Sequence, residues 1–499
     1  MELEFNKSTI AYLRSVAGEV KDQEETGEIR VPDGLPDVGR VLCSWGQALI
    51  RTKEWRGNGM TASGGILVKV LYEAEGEEGL HCVESWLPFQ TKWEFSQTEK
   101  DGYIRIIPQV TSVEARMASS RKLIVCARIS IDGKAMVSDQ ISISTGADLP
   151  PDVQMLKNTY PLQLPVEAGE KVFSSEDVIP YPPGMPLLAQ LVSYTAVPVL
   201  SETKLMGDKI VFRGCSKLRF VYLDTSGILH TFNHEVPFSQ YTQLDGQYDD
   251  NAEITIDFAL TGLEIEQGEG DAYNCKIGIA AQYLVCVRTI TEIVEDVFSP
   301  VRKISCKFEE LNIPSVLNRR EIPVEPSCSL PVEMDQIVDA IFNPGIPCRF
   351  TENGDMYADL SGTFQVLGTD VMGRISAVTE RWMQSVPLND DVHTIVEMRF
   401  KPNNDTACGM NGSSSFVSTE LPLEIVILNQ KPIPMVTNVE IGEPVRQDPD
   451  RPSVILRKAG EDSLWKIAKD AGSSVEAIRM ANGIEGELEP ERIILIPVT

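Results

Sequence analysis

Leu67-Val68-Lys69-Val70-Leu71-Tyr72 reads as a strand, and the chain repeats it as Leu218-Arg219-Phe220-Val221-Tyr222 and as Phe364-Gln365-Val366-Leu367. Upstream of each copy a proline signature opens an apolar stretch. Leu35-Pro36 precedes Val38 to Leu42, Met185-Pro186 precedes Leu187 to Val192, and Leu330-Pro331 precedes Met334 to Phe342. Downstream stands a second proline signature: Leu87-Pro88-Phe89, Val236-Pro237-Phe238 and Val386-Pro387-Leu388. The first prolines are 150 and 145 residues apart and the second ones 149 and 150, with 52, 51 and 56 residues between the two inside each unit. Three elements in one order at one spacing define a triplicated unit.

The rest of each unit has the same character. Lys122 to Ile129, Ile277 to Val285, Thr394 to Phe400 and Pro422 to Leu428 are short runs rich in β-branched residues, bounded by Gly, Asn, Asp and Pro. Glu253 to Leu260 alternates apolar and polar residues at period two. Long 3.6-residue periods are scarce, so each unit is expected to be a β-sandwich or a barrel-like domain. Prolines crowd three segments that read as connectors: 151–184, 311–329 and 431–452. Proline at that density removes backbone donors and stiffens a spacer.

Length and charge limit the functions. A chain of 499 residues has room for about three domains. It carries 45 basic and 73 acidic residues, a net charge of −28, which disfavours nucleic acid as a partner. Apolar residues make up 42%, enough for packed cores. No run of 18 apolar residues occurs, so no transmembrane segment is expected, and the acidic first thirty residues do not read as a secretory signal.

Ten cysteines show no C-x2-C or C-x4-C pair, which gives a zinc finger no support. Cys43, Cys126 and Cys286 sit in apolar strand-like runs, so they are expected to be reduced, largely buried thiols. His230 and His234 are four apart, but on a strand leading to Pro237 they would stand roughly 13 Å apart, too far to share one ion. No metal or cofactor is expected.

The last fifty residues change character. Val454 to Lys458 is a short strand, and Gly460-Glu461-Asp462-Ser463 forms a turn in which Ser463 suits an N-cap. Leu464, Trp465, Ile467, Ala468 and Ala471 make a helical apolar stripe ended by Gly472. Ser473-Ser474-Val475-Glu476 reads as a capping box opening a second helix through Asn482. A final strand runs from Ile493 to Pro497.

This β-α-α-β order, with Gly460, Asp462, Ser463, Leu464, Trp465, Asn482, Leu495, Ile496 and Pro497 where they stand, resembles a LysM domain. Glu461 is one residue more than the usual motif has. The resemblance implies a groove between the turns Gly460, Glu461, Asp462, Ser463, Leu464 and Asn482, Gly483, Ile484, Glu485, which in that family usually takes N-acetylglucosamine chains. An acidic rim of Glu461, Asp462, Glu485 and Glu487 is unlike a sugar groove. Leu35 to Leu42, the repeated units and the terminal module together resemble the SPOCS-plus-LysM family of spore-coat morphogenetic proteins in spore-forming Firmicutes.

That resemblance divides the chain into a first SPOCS-like unit with the N-terminal segment (1–150), a second (185–310), a third (330–430), and a LysM domain (453–499), with the three connectors between them. The third unit is expected to be degenerate, since Gly368 stands where Tyr72 and Tyr222 end the strand. The fold class is therefore mainly β: tandem sandwich or barrel-like repeats with a small βααβ domain.

Function follows as expectation. No G-x4-G-K-[ST] or G-x-S-x-G motif is present, and Gly412-Ser413-Ser414-Ser415 reads as an exposed connector. The chain is expected to be a non-enzymatic scaffold working in the mother-cell cytoplasm at the forespore surface. The resemblance implies a LysM contact with SpoIVA, the ATPase that polymerises there; the alternative is a peptidoglycan-binding or N-acetylglucosamine-binding protein of cortex or wall. Four of the six tryptophans (Trp45, Trp55, Trp86 and Trp93) fall in the first unit, as core or as interaction face.

Overall fold

The computed structural model describes residues 2–498 apart from 77–78, 181, 269–271, 333, 371, 390–393, 404, 412–413, 430, 446–451, 461, 487 and 490. After the two-residue β1 (Glu2–Leu3), the first unit has six strands: β2 (Phe5–Arg30), β3 (Val38–Arg56), β4 (Gly59–Ala74), β5 (Leu80–Glu94), β6 (Tyr103–Ser119) and β7 (Lys122–Ala147). They form two antiparallel sheets, β2-β7-β6 and β3-β4-β5. Val68, Val70 and Tyr72 of β4 face Ile106, Leu123 and Ile129 in one buried cluster between them.

The second unit repeats the plan with β8 (Gln154–Pro180), β9 (Leu188–Met206), β10 (Lys209–Asp224), β11 (Leu229–Gln243), β12 (Glu253–Gln267) and β13 (Ala272–Phe298), in sheets β8-β13-β12 and β9-β10-β11. The third unit breaks the two long strands into pieces. Its outer ladder is β14 (Arg302–Leu311), β15 (Val316–Val324) and β16 (Ser327–Ser329). The inner sheet follows as β17 (Gln336–Pro344), β18 (Cys348–Glu352), β19 (Asp355–Thr369) and β20 (Ile375–Pro387). Then come β21 (Ile395–Phe400), β22 (Thr406–Asn411), β23 (Ser414–Thr419), β24 (Leu421–Leu428) and β25 (Ile433–Pro444). β14, β15 and β16 pair in turn with β25, β24 and β23, so the path is that of the other units with interruptions. Every ladder is an open path of two to four strands, so the units are sandwich-like and none of the described sheets closes into a barrel.

The repeated signatures have structural reasons. The Tyr72 hydroxyl donates to the Pro36 carbonyl at 3.0 Å, and Tyr222 does the same to Pro186 at 3.2 Å. In the third unit Met334 takes this place: a Cβ on Gly368 would meet its sulfur at 2.8 Å. Pro88, Pro237 and Pro387 lie on β5, β11 and β20, which pair on one side only within their sheets, where a missing N–H breaks no ladder.

The segments expected as connectors are built into the sheets. Residues 151–184 contain β8, which pairs with β13 along its length; because β8 is an edge strand, Pro161, Pro165 and Pro180 are accommodated. Residues 311–329 contain β15 and β16, and residues 431–452 contain β25, the middle strand of the sheet β1-β25-β14. Ser415, expected in an exposed connector, is buried on β23 and donates from Oγ to the Met334 carbonyl at 3.2 Å; Gly412 and Ser413 lie outside the described residues.

The three units meet in cyclic order. From the first, Cys82 Sγ donates to the Val192 carbonyl at 3.0 Å. From the second, the equivalent Thr231 Oγ1 donates to the Val338 carbonyl at 3.0 Å and Arg219 reaches Asp339. From the third, Gln365 Nε2 donates to the Ser44 carbonyl at 2.7 Å, back on the first unit. β1 pairing with β25 closes the circuit. One apolar cluster draws on all three inner sheets (Trp45, Leu71, Val221, Leu367), and a second on all three outer ladders (Tyr12, Leu164, Ile433). The tryptophans divide accordingly, Trp93 in the core of the first unit and Trp45 in the shared junction.

Candidate functional site

The terminal domain is β26 (Val454–Lys458), α1 (Leu464–Ala471), α2 (Val475–Asn482) and β27 (Ile493–Pro497), with the two strands antiparallel. Ser463 caps α1: its Oγ accepts from Lys466 N at 3.3 Å. Gly472 ends the helix in the left-handed region at φ 59°. The second cap differs from the expected box, because Ser474 accepts from Ala477 N at 3.0 Å. Ser473 is buried and its hydroxyl is taken by the Pro497 carbonyl, so Glu476 sits in the first turn, where it complements the helix dipole.

The expected groove residues separate into two groups. Leu464 and Ile484 are buried in one cluster with Ile467, Ile478, Ile494 and Ile496, which brings both turns to one end of the domain. Asn482 clamps β27: its Nδ2 donates to Leu495 O at 2.6 Å, and its Oδ1 accepts from Leu495 N at 2.7 Å. Asp462 lies between Lys466, whose Nζ donates to Oδ1 at 2.7 Å, and Arg457; the Lys466 bond, then Arg457, hold its carboxyl below the ordinary range. Gly460, Ser463, Gly483 and Glu485 are exposed, and Glu461 lies outside the described residues.

One face of α1 and the start of α2 rest on the second unit. Trp465 Nε1 donates to Asp296 Oδ2 at 2.8 Å, and Lys469 Nζ donates to the same carboxylate at 2.7 Å. The Trp465 ring meets Phe298 edge-on with centroids 4.7 Å apart, and Phe298 joins the domain's own core. Gln154 completes the contact, its Oε1 accepting from Val475 N at 3.0 Å. Trp465, which fits the family pattern as a core residue, is thus a docking residue. No local signal marks Asp296, Phe298 or Gln154, because each lies more than 150 residues away in a segment that reads as ordinary strand.

A cavity of about 360 Å³ where the three units meet is lined by Arg105, Asp257, Arg399, Glu424 and Arg319. Arg105 and Arg399 both bind Asp257, at 3.1 and 2.6 Å, and Arg399 and Arg319 both bind Glu424, at 2.5 and 3.2 Å. His230 and His234 on β11 bind separate carboxylates, Asp224 at 3.0 Å and Asp177 at 3.1 Å. Among the described residues no group of three His, Cys, Asp or Glu side chains could hold a metal ion, and no helix is long and apolar enough to cross a membrane.

With this geometry in place, two comparisons identify the modules. Residues 188–267, which are β9 to β12 of the second unit, match the family described as SipL, SPOCS domain. Residues 460–497 match the LysM domain family. The chain has a SipL-like architecture, SPOCS plus LysM, and both modules are non-catalytic. No curated protein and no solved structure gives a match. The pairing supports a non-enzymatic adaptor or scaffold role.

Proposed function

We propose that the protein is a morphogenetic adaptor of spore-coat assembly, acting in the mother cell at the forespore surface and tethering coat proteins there through a LysM contact with SpoIVA. The observation that carries this reading is the docking of the LysM domain through Trp465 and Lys469 onto Asp296 of the second unit. A module held along α1 by a three-unit body has a fixed orientation. Against a polymerised partner, many such weak contacts add through effective concentration.

The test is co-precipitation of polymerised SpoIVA with the full chain and with a chain lacking 454–499. Recovery that does not fall on truncation removes the anchoring role. The exposure of Gly460, Ser463, Gly483 and Glu485 favours a second reading, glycan binding at these two turns. Saturable binding of chitin oligomers to the full chain in the micromolar range would replace the first reading with it.

A further inference from the structure

The three seams between units place one side chain of the middle inner strand in equivalent positions: Lys69 of β4, Arg219 of β10 and Gln365 of β19. Two of these are answered in full. Arg219 Nε donates to Asp339 at 2.6 Å, and Gln365 donates to the Ser44 carbonyl at 2.7 Å. Lys69 is 3% exposed, and its Nζ has no hydrogen-bond partner among the described residues. The amine lies over the ring of Tyr194 on β9, across the seam, with Glu84 Oε2 3.6 Å away.

The titratable groups around it are Glu84 and Cys82 on β5, Cys43 on β3 and Tyr194, with Asp339 of the third unit reaching Cys43. Burial pushes the Cys82 and Cys43 thiols up to about 12 and raises Tyr194 as well, so at neutral pH these three are uncharged. Among the described residues Glu84 is the only nearby anion that acts on the amine, and it also accepts from the Tyr194 hydroxyl at 3.4 Å.

We propose that the seam between the first and second units is a proton-sensitive joint, which loosens when Lys69 takes up a proton and tightens when it releases one. A charged ammonium in this place lacks the hydrogen bonds that would offset its lost hydration, whereas a neutral amine costs little. Burial lowers the amine to about 7 in the closed seam, against 10.5 for the ordinary group. Between these values the open form binds more protons, so the opening constant rises about tenfold for each unit of falling pH and levels off below about 7.

Cys82 reports on the seam, because its thiol donates to Val192 across it. The experiment is alkylation of the full chain by iodoacetamide at pH 7, 8 and 9, read by peptide mass spectrometry and corrected for the rate of a free cysteine peptide. The corrected Cys82 rate is expected to fall about fivefold from pH 7 to 8 and about tenfold from pH 8 to 9. Cys328, packed against the core of the third unit, is expected to show no such trend, and in Lys69→Met the Cys82 rate should be flat. If Lys69→Met does not fold, the contrast between Cys82 and Cys328 in the unaltered chain decides. A corrected Cys82 rate independent of pH, or one that Cys328 or Lys69→Met follows equally, overturns the proposal.

Discussion

Arg219 Nε lies 2.6 Å from Asp339 Oδ1, with the two side chains 10% and 3% exposed. Trp45 Nε1 donates to the other carboxylate oxygen at 3.2 Å. Arg219 belongs to the second unit, Asp339 to the third and Trp45 to the first, so one buried carboxylate joins all three.

Removing that carboxylate leaves Arg219 buried without its counter-charge. Asp339→Ala is expected to destabilise the three-unit body by about 3–5 kcal/mol, read as a lower urea midpoint of the tertiary fluorescence signal. The paired change Arg219→Met with Asp339→Leu should recover most of the loss, because it removes both charges and keeps the volume. An Asp339→Ala midpoint equal to that of the unaltered protein would show that the pair does not hold the units together.

Asp257 sets an acid limit. Burial opposes its ionisation, but Arg399 and Arg105 more than offset this and hold the group at about 2, below 3.8. A depressed carboxylate stabilises above its unfolded pKa, and that contribution is lost as pH falls from about 4 through 2. It amounts to about 2 kcal/mol. Asp257→Asn should lower stability at pH 7 and flatten the fall between pH 4 and 2, both measurable by urea titration.

The tyrosine-to-proline bonds predict a contrast between repeats. Tyr72→Phe and Tyr222→Phe should each cost about 1 kcal/mol, since each removes one hydrogen bond and little volume. Gly368→Ala should cost about 1–3 kcal/mol, because the new methyl meets the Met334 sulfur and the Gln336 carbonyl. Thermal unfolding of the three variants would test the ranking.

The docking contact predicts a release. Asp296→Ala removes the acceptor shared by Trp465 and Lys469 and should weaken docking by about 1–3 kcal/mol while α1 and α2 stay folded. Limited trypsin digestion should free the terminal domain faster than in the unaltered chain, with helical circular dichroism unchanged. An equal release rate would mean that Phe298 and Gln154 suffice.

Much of this architecture is legible in local patterns. Period-two alternation, paired prolines at fixed spacing and turn residues report on a residue's immediate neighbours, so they mark the strands and the triplication. Ser463 and Gly472 mark α1 for the same reason. The second cap was legible only to within one residue: two adjacent serines suit the position equally, and the Pro497 carbonyl, 24 residues on, claims Ser473. The proline-rich segments mislead because proline forbids a donor without forbidding an edge strand, and the pattern does not say which strands are edges. Among the expected groove residues, Leu464, Ile484 and Asn482 have the right types for a binding site, yet they serve the domain's core and its strand clamp.

The amino-acid sequence alone determined that this protein is three β units followed by a βααβ domain, because each of those elements is specified by contacts within a short stretch of chain. Only the tertiary structure decided that the units lock in a cycle, that Asp339 holds Trp45 across 294 residues, and that Trp465 docks on Asp296. Such partners are chosen by which faces remain unburied once the sheets have formed, and no local pattern of residues records that choice.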